Sequence, residues 1–223
     1  MSVLTPKQVA FYQENGYIVL SGLIPEETSL RAKAILDKWV EGDPRNPKAT
    51  SGEPIPRTSE EEDAVVACYT DAILQAAAEL VGDDVSTFPR PHKPYPLHSY
   101  PTQEEWKPWG AHIDHAIKEH GHKTFPYAFR LASMLFFSDV EPHGGGTLVW
   151  PGSHLKTLAL AKSNPEYYEL MYTLNNELDK ANLGEYVELA PKRGDILFYH
   201  YLCGHSGSMN VQNVPRLAMN AKW

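Results

Sequence analysis

Cysteine is nearly absent. Only Cys68 and Cys203 occur in 223 residues. Two cysteines make no disulfide framework, so a reducing compartment is the simpler expectation. Basic runs are absent too. Acidic residues number 28 against 20 basic ones, for a net charge of −8. Nucleic-acid binding therefore has little electrostatic support. No apolar stretch approaches the ~20 residues of a membrane span. The opening MSVLTPKQVAFYQENGY is too polar for a signal peptide, and the final Ala221-Lys222-Trp223 matches no targeting address. A cytoplasmic protein without nucleic-acid or membrane partners is the resulting expectation. Its oligomeric state stays open.

A hydrophobic content of 42 % with 11 % aromatics is enough for a sizeable core. The length suits one domain over 1–223. Thr5-Pro6 reads as an N-cap followed by a first-turn proline, opening a helix to about Glu14. Asn15-Gly16 ends it, and Tyr17 to Leu20 reads as a strand. A second helix runs from Pro25 to about Trp39. Residues 41–62, rich in Pro, Gly and charge, read as a long surface loop and a candidate lid. A third helix is expected over 64–81, stopped by Gly82.

The pattern then changes to short apolar runs between turn residues. Strands are expected at 85–100, 129–140, 147–150, 186–189, 195–201 and 217–222, with a helical excursion at about 165–181. Helices first and strands later predict an α+β, mainly β chain. Its core is a double-stranded β-helix, a cupin-like jelly roll, with the N-terminal helices packed on one sheet. Residues 1–82 form the helical part. Residues 83–223 form the jelly-roll core, with a helical insertion at about 154–181.

Three residues carry the chemistry. In His112-Ile113-Asp114, positions i and i+2 of an extended strand share a face. With the distant His205 they make a two-His-one-carboxylate set, the ligand set of non-haem Fe(II) oxygenases. His205 sits at the end of the strand opened by Gly194-Asp195. Arg216 follows on the next strand. Its planar fork suits the far carboxylate of a 2-oxoglutarate co-substrate that chelates iron at its other end. Zinc accepts the same ligand set, so a zinc hydrolase and a non-catalytic metal-binding barrel stand as alternatives.

Several spaced segments resemble one family. They are Thr5, Gln8, Phe11-Tyr12 and Gly16-Tyr17; Trp109-x-x-His112-x-Asp114; Gly145 to His154 (GGTLVWPGSH); and Gly194-Asp195 with His205, Asn210 or Asn213 and Arg216. Together they resemble the phytanoyl-CoA dioxygenase (PhyH) family of Fe(II)/2-oxoglutarate-dependent oxygenases, over nearly the whole chain. The resemblance implies that His112, Asp114 and His205 bind Fe(II) and that Arg216 binds the distal carboxylate of 2-oxoglutarate. O2 is the second co-substrate. The implied reaction hydroxylates a C–H bond of a small molecule and releases succinate and CO2. No catalytic residue beyond the metal ligands is implied. Where the family often has Ser two residues after the distal His, this chain has Gly207, flanked by Ser206 and Ser208. Because Asp114 is present, hydroxylation is expected rather than the halogenation seen where that carboxylate is lost.

Other residues draw weaker expectations. Strand parity makes His98, Tyr100 and Met134 candidate pocket residues, with ordinary barrel filling as the competing reading. His115, His120 and His122 read as loop histidines, and Cys203 as structural rather than ligating. His143 and His154 read as loop or helix-start residues. The run Gly144–Gly146 lacks the Lys-Ser/Thr and following helix of a phosphate-binding loop. Segments 41–62 and 115–128 are expected to shape the pocket mouth.

Overall fold

In the computed structural model, which describes residues 2–50 and 53–223, Thr5 opens the first helix by a reciprocal capping box. Its hydroxyl accepts from the Gln8 amide, and the Gln8 side chain accepts from the Thr5 amide. Two orphan donors are thereby satisfied at the start of α1 (Pro6–Asn15). Gly16, at φ +76°, ends the helix and admits β1 (Tyr17–Leu20). α2 (Glu26–Val40) follows.

The expected third helix is two helices, α3 (Ser59–Val66) and α4 (Asp71–Val81). Thr58 caps α3 with Glu61 in a second capping box, so this helix begins inside the expected loop. Thr70 makes the break after α3. Its hydroxyl accepts from the Ile73 amide and donates to the Leu23 carbonyl at 2.8 Å. A threonine with these local partners favours a helix start over a helix interior. The remainder of 41–62 is turns and irregular chain, and 51–52 lie outside the described residues.

The strands are shorter than the apolar runs suggested. They are β2 (Tyr95–Pro96), β3 (Leu131–Phe136), β4 (Leu148–Val149), β5 (Val187–Glu188), β6 (Ile196–His200), β7 (His205–Ser206) and β8 (Ala218–Lys222). Between β4 and β5 lie α5 (Ser153–Ser163) and α6 (Met171–Asn176). α5 falls within the helical insertion expected at about 154–181, ahead of the excursion expected at about 165–181. The Pro151-Gly152 turn starts it, with Gly152 at φ +71°.

The larger sheet has the order β1-β6-β3-β8-β2 and the smaller β5-β4-β7, all pairings antiparallel. Period-two alternation sorts each central strand between two cores. Leu131 and Leu135 of β3, with Ile196 and Phe198 of β6, pack on the helices against Leu36, Tyr69 and Ile73. Ala132, Met134 and Phe136, with Leu197 and Tyr199, face the inner core with Val149 of the smaller sheet. Both sheet faces are thus covered, and β3 is buried along its whole length. Leu36 is fully buried beneath this helical layer, and truncating a leucine at such a site costs about 2–5 kcal/mol. The architecture is the expected cupin-like jelly roll with helices on one sheet.

Among the described residues no single helix is long and apolar enough to cross a membrane. The pair α3 and α4 passes that test by length and composition, bent by 48°. Six residues of α4 are buried in the core it shares with β3 and β6, as in a core helix.

Candidate metal centre

β7 and the segment between β2 and β3 assemble the centre through backbone pairing. His112 donates its amide to the His205 carbonyl at 2.9 Å, and His205 returns the bond at 3.0 Å. Ile113 is buried in the inner core, and its amide donates to Asn175 Oδ1 at 2.8 Å. Its neighbours His112 and Asp114 line a cavity. One ligand atom from each of His112, Asp114 and His205 lies within 4.8 Å of the others. His205 Nε2 is 3.7 Å from Asp114 Oδ2.

The donor chemistry fits a cation. His205 Nδ1 lies 3.0 Å from the Cys203 carbonyl, which can only accept. Nδ1 therefore carries a proton, which leaves Nε2, on the side of Asp114, as the nitrogen available to a metal. Burial, with His205 close by, lowers the His112 pKa to about 4, so its imidazole is neutral at pH 7 and able to ligate. Burial pushes the Asp114 carboxyl up. His205, Lys222 and the Tyr199 hydroxyl outweigh burial and hold it below the usual range, as a carboxylate.

Asp114 is held from two sides. Tyr199 donates its hydroxyl to Asp114 Oδ2 at 3.0 Å, and Asn220 Nδ2 donates to the same hydroxyl at 2.9 Å. Lys222 Nζ is 3.2 Å from the same Oδ2. The chain turns immediately after Asp114, because His115 adopts φ +60°.

The cavity is about 270 Å³ and also bears Tyr95, Leu97, Trp109, Met134, Thr147 and Arg216. Arg216 is only 7 % exposed. Its Nη2 donates to the Leu97 carbonyl at 2.8 Å and its Nη1 to Thr147 Oγ1 at 3.4 Å, while its Nε is buried without a partner. No carboxylate pairs with it among the described residues. Burial lowers its pKa to about 10, so it keeps its charge at pH 7. A buried guanidinium without a counter-ion is costly, and an incoming carboxylate relieves that cost.

The weaker sequence candidates divide. Met134 lines the cavity, its sulfur 3.3 Å from Thr147 Oγ1. His98 and Tyr100 do not. His98 lines a separate depression with Asp43 and Arg45, and the Tyr100 hydroxyl donates to Asp43 Oδ2 at 2.7 Å. Their neighbour Leu97 lines the cavity instead, so the parity count is one residue out of register.

None of the described residues in 41–62 or 115–128 lines the cavity. His115 stacks on His122 at 4.4 Å, and His120 meets His122 edge-on. His143 stacks on Trp106 at 4.3 Å. His154 is the second residue of α5, its Nε2 3.1 Å from the Gln13 carbonyl. Cys203 is buried beside Ser153, and burial pushes its thiol up to about 12, unlike a thiolate ligand.

Sequence reasoning missed Tyr199, Asn220 and Lys222 around Asp114, Leu97 in the cavity wall, and two further features. At Gly207 an added Cβ would lie 2.8 Å from the Trp109 ring, so the indole covers this position. Ser206 donates to backbone carbonyls of Trp109 and Gly207, and Ser208 to that of Gly146, so neither flanking hydroxyl faces the cavity as a free donor. Thr147 supplies the hydroxyl beside Arg216. The only signal for it is its place in the GGTLV segment.

Solved structures share this fold. The non-haem alpha-ketoglutarate-dependent carbocyclase SnoK from nogalamycin biosynthesis is 18 % identical with a TM-score of 0.65, over 99 % of this chain and 83 % of that one. EctD from S. alaskensis, solved with 2-oxoglutarate and 5-hydroxyectoine, is 16 % identical with a TM-score of 0.64, over 97 % and 74 %. AviO1 from Streptomyces viridochromogenes is 13 % identical with a TM-score of 0.62, over 99 % and 94 %. No curated protein sequence matches the chain. The family model for phytanoyl-CoA dioxygenase (PhyH) matches residues 12–218, and with nearly its whole length covered the chain belongs to the PhyH family.

Proposed function

We propose that this chain, by family an Fe(II)/2-oxoglutarate-dependent oxygenase, hydroxylates a C–H bond of a small-molecule substrate and releases succinate and CO2. The observation that carries the reading is Arg216, a buried cation without a carboxylate partner, in the cavity that also holds His112, Asp114 and His205. SnoK, described as alpha-ketoglutarate-dependent, and EctD, solved with 2-oxoglutarate, support the co-substrate by analogy.

His112, Asp114 and His205 would hold Fe(II). With 2-oxoglutarate and O2 bound, the metal supplies the oxidising power for C–H hydroxylation. Arg216 gives the distal carboxylate of 2-oxoglutarate a planar, charge-assisted donor. Thr147 adds a hydroxyl beside it. Tyr199 orients Asp114, and Asn220 fixes the Tyr199 hydroxyl as donor to that carboxylate. Leu97 and Met134 give the cavity an apolar wall that limits water. A zinc hydrolase uses the same three ligands but gives the buried Arg216 nothing to do.

Anaerobic addition of Fe(II) and then 2-oxoglutarate tests the reading. A visible charge-transfer band, followed by substrate-stimulated succinate release in air, is expected. Absence of the band with zinc retained at the site overturns it.

A further inference from the structure

The cavity carries a second cation that the co-substrate does not use. Lys222 lies at the end of β8 and lines the metal-centre cavity. It also lines an adjoining outer depression of about 400 Å³, formed by Pro91 to Tyr95 and Asn220 to Lys222. Tyr95, Asn220 and Lys222 are common to both hollows, so Lys222 stands where the outer one meets the inner one. Its side chain is 25 % exposed, and Nζ lies 5.2 Å from the centre of the Phe129 ring. The ring face steadies the ammonium independently of Asp114.

Charge decides what this position is for. Among the described residues Asp114 is the only acidic one lining either hollow, although the chain as a whole carries −8. The outer depression adds His92 and Lys93 and no acid. A divalent metal and the 2-oxoglutarate dianion cancel one another. Asp114 then balances only one of Arg216 and Lys222. The loaded cavity keeps one unit of positive charge, and Lys222, with its side chain 25 % exposed against 7 % for Arg216, is the more accessible of its two cations. An uncompensated charge there favours an incoming anion.

Resting on the oxygenase reading above, we propose that Lys222 is the substrate anchor and that the substrate class is small monocarboxylic acids. The substrate carboxylate pairs with the Lys222 ammonium once the metal has taken up Asp114. Nζ lies 3.2 Å from Asp114 Oδ2, so an anchored carboxylate sits a few bonds from the carbon that is oxidised. Arg216, deeper in the cavity, remains with the co-substrate.

The test uses Fe(II)-loaded protein saturated with 2-oxoglutarate under anaerobic conditions. A panel of aliphatic and aromatic monocarboxylates, each paired with its primary amide, is titrated against the charge-transfer band. In the wild type at least one acid is expected to bind about tenfold or more tighter than its amide. In Lys222→Gln that preference collapses, and Lys222→Arg retains it. If the wild type forms no band with 2-oxoglutarate, the oxygenase reading itself fails. If the band forms but no pair shows an acid preference, or Lys222→Gln keeps it, the anchor assignment alone is overturned.

Discussion

His112 and His205, far apart in the chain, exchange both backbone hydrogen bonds in an antiparallel bridge. In such a hydrogen-bonded antiparallel pair the two side chains project to the same face. Their rings lie 4.4 Å apart, tilted by 51°. The separation of two candidate ligands is therefore set by main-chain geometry, which side-chain substitutions leave in place. Side-chain changes around this frame should alter the site's chemistry while sparing the fold.

Tyr199→Phe isolates the support of Asp114. The substitution deletes the 3.0 Å bond to Oδ2 and keeps the ring in the inner core. Asn220 Nδ2 keeps its other partner, the Ser133 carbonyl, so the stability cost is only about 1 kcal/mol. Metal affinity is expected to fall about 10- to 100-fold, as for other partners of a metal ligand. Titration of the apo-protein with Fe(II) or Co(II) reads this directly. Unchanged affinity would mean that Lys222 alone suffices to orient the carboxylate.

Arg216→Met separates co-substrate binding from metal binding. Methionine fills similar apolar volume and removes a buried, unneutralised charge, so the apo-variant is expected to be at least as stable as wild type. Losing the charge-assisted bonds should raise the KM for 2-oxoglutarate by about 10- to 100-fold, with metal affinity unchanged. Thermal melts make a second check: adding 2-oxoglutarate to the metal-loaded protein should raise the wild-type Tm by more than that of the variant. An equal Tm rise in both would remove Arg216 from the co-substrate site.

How far these features were legible in the sequence follows from the kind of signal each leaves. The capping box at Thr5 and Gln8 is local chemistry and reads directly. The convergence of His112 with Asp114 follows from the two-residue period of a strand. The break at Thr70 does not read, because the hydroxyl that ends the helical run is tied to Leu23, distant in sequence. Strand parity alone makes His98 and Tyr100 pocket candidates. Helices cover one face of the large sheet and the inner core the other, so polarity does not say which face is inside. Thr147 was equally hidden: its role exists only once β4 lies across from Arg216.

Gly207→Ser restores the hydroxyl that relatives often carry at this position. The Trp109 ring occupies the space a side chain needs, with its nearest carbon 2.8 Å from an added Cβ. Trp109 is 56 % exposed and can swing outward. The expected result is a displaced indole with a changed fluorescence emission and a small loss of stability, about 1 kcal/mol. If the new hydroxyl reaches the co-substrate, the KM for 2-oxoglutarate falls. An unaltered Trp109 signal would show that the serine is accommodated by backbone movement instead.

Asp43→Asn reports on the packing outside the cavity. Asp43 accepts from Arg45 Nη2 at 2.7 Å, from the Arg45 amide at 2.9 Å and from the Tyr100 hydroxyl at 2.7 Å. The Arg45 side chain, aided by Tyr100, holds its carboxyl well below the ordinary carboxylate range despite partial burial. A depressed folded-state pKa means that the unfolded chain takes up the proton first as pH falls. The stabilisation is therefore complete above the unfolded pKa of about 3.9 and is lost progressively below it. At pH 7 the variant should be less stable by about 1 kcal/mol, since Arg45 is largely exposed and the pair is screened. Urea unfolding of both proteins from pH 7 to pH 3 should give a constant difference down to about pH 5 and a shrinking one below pH 4. A difference that is flat across the whole range would mean that the ionised carboxylate contributes nothing beyond the hydrogen bonds an amide can make.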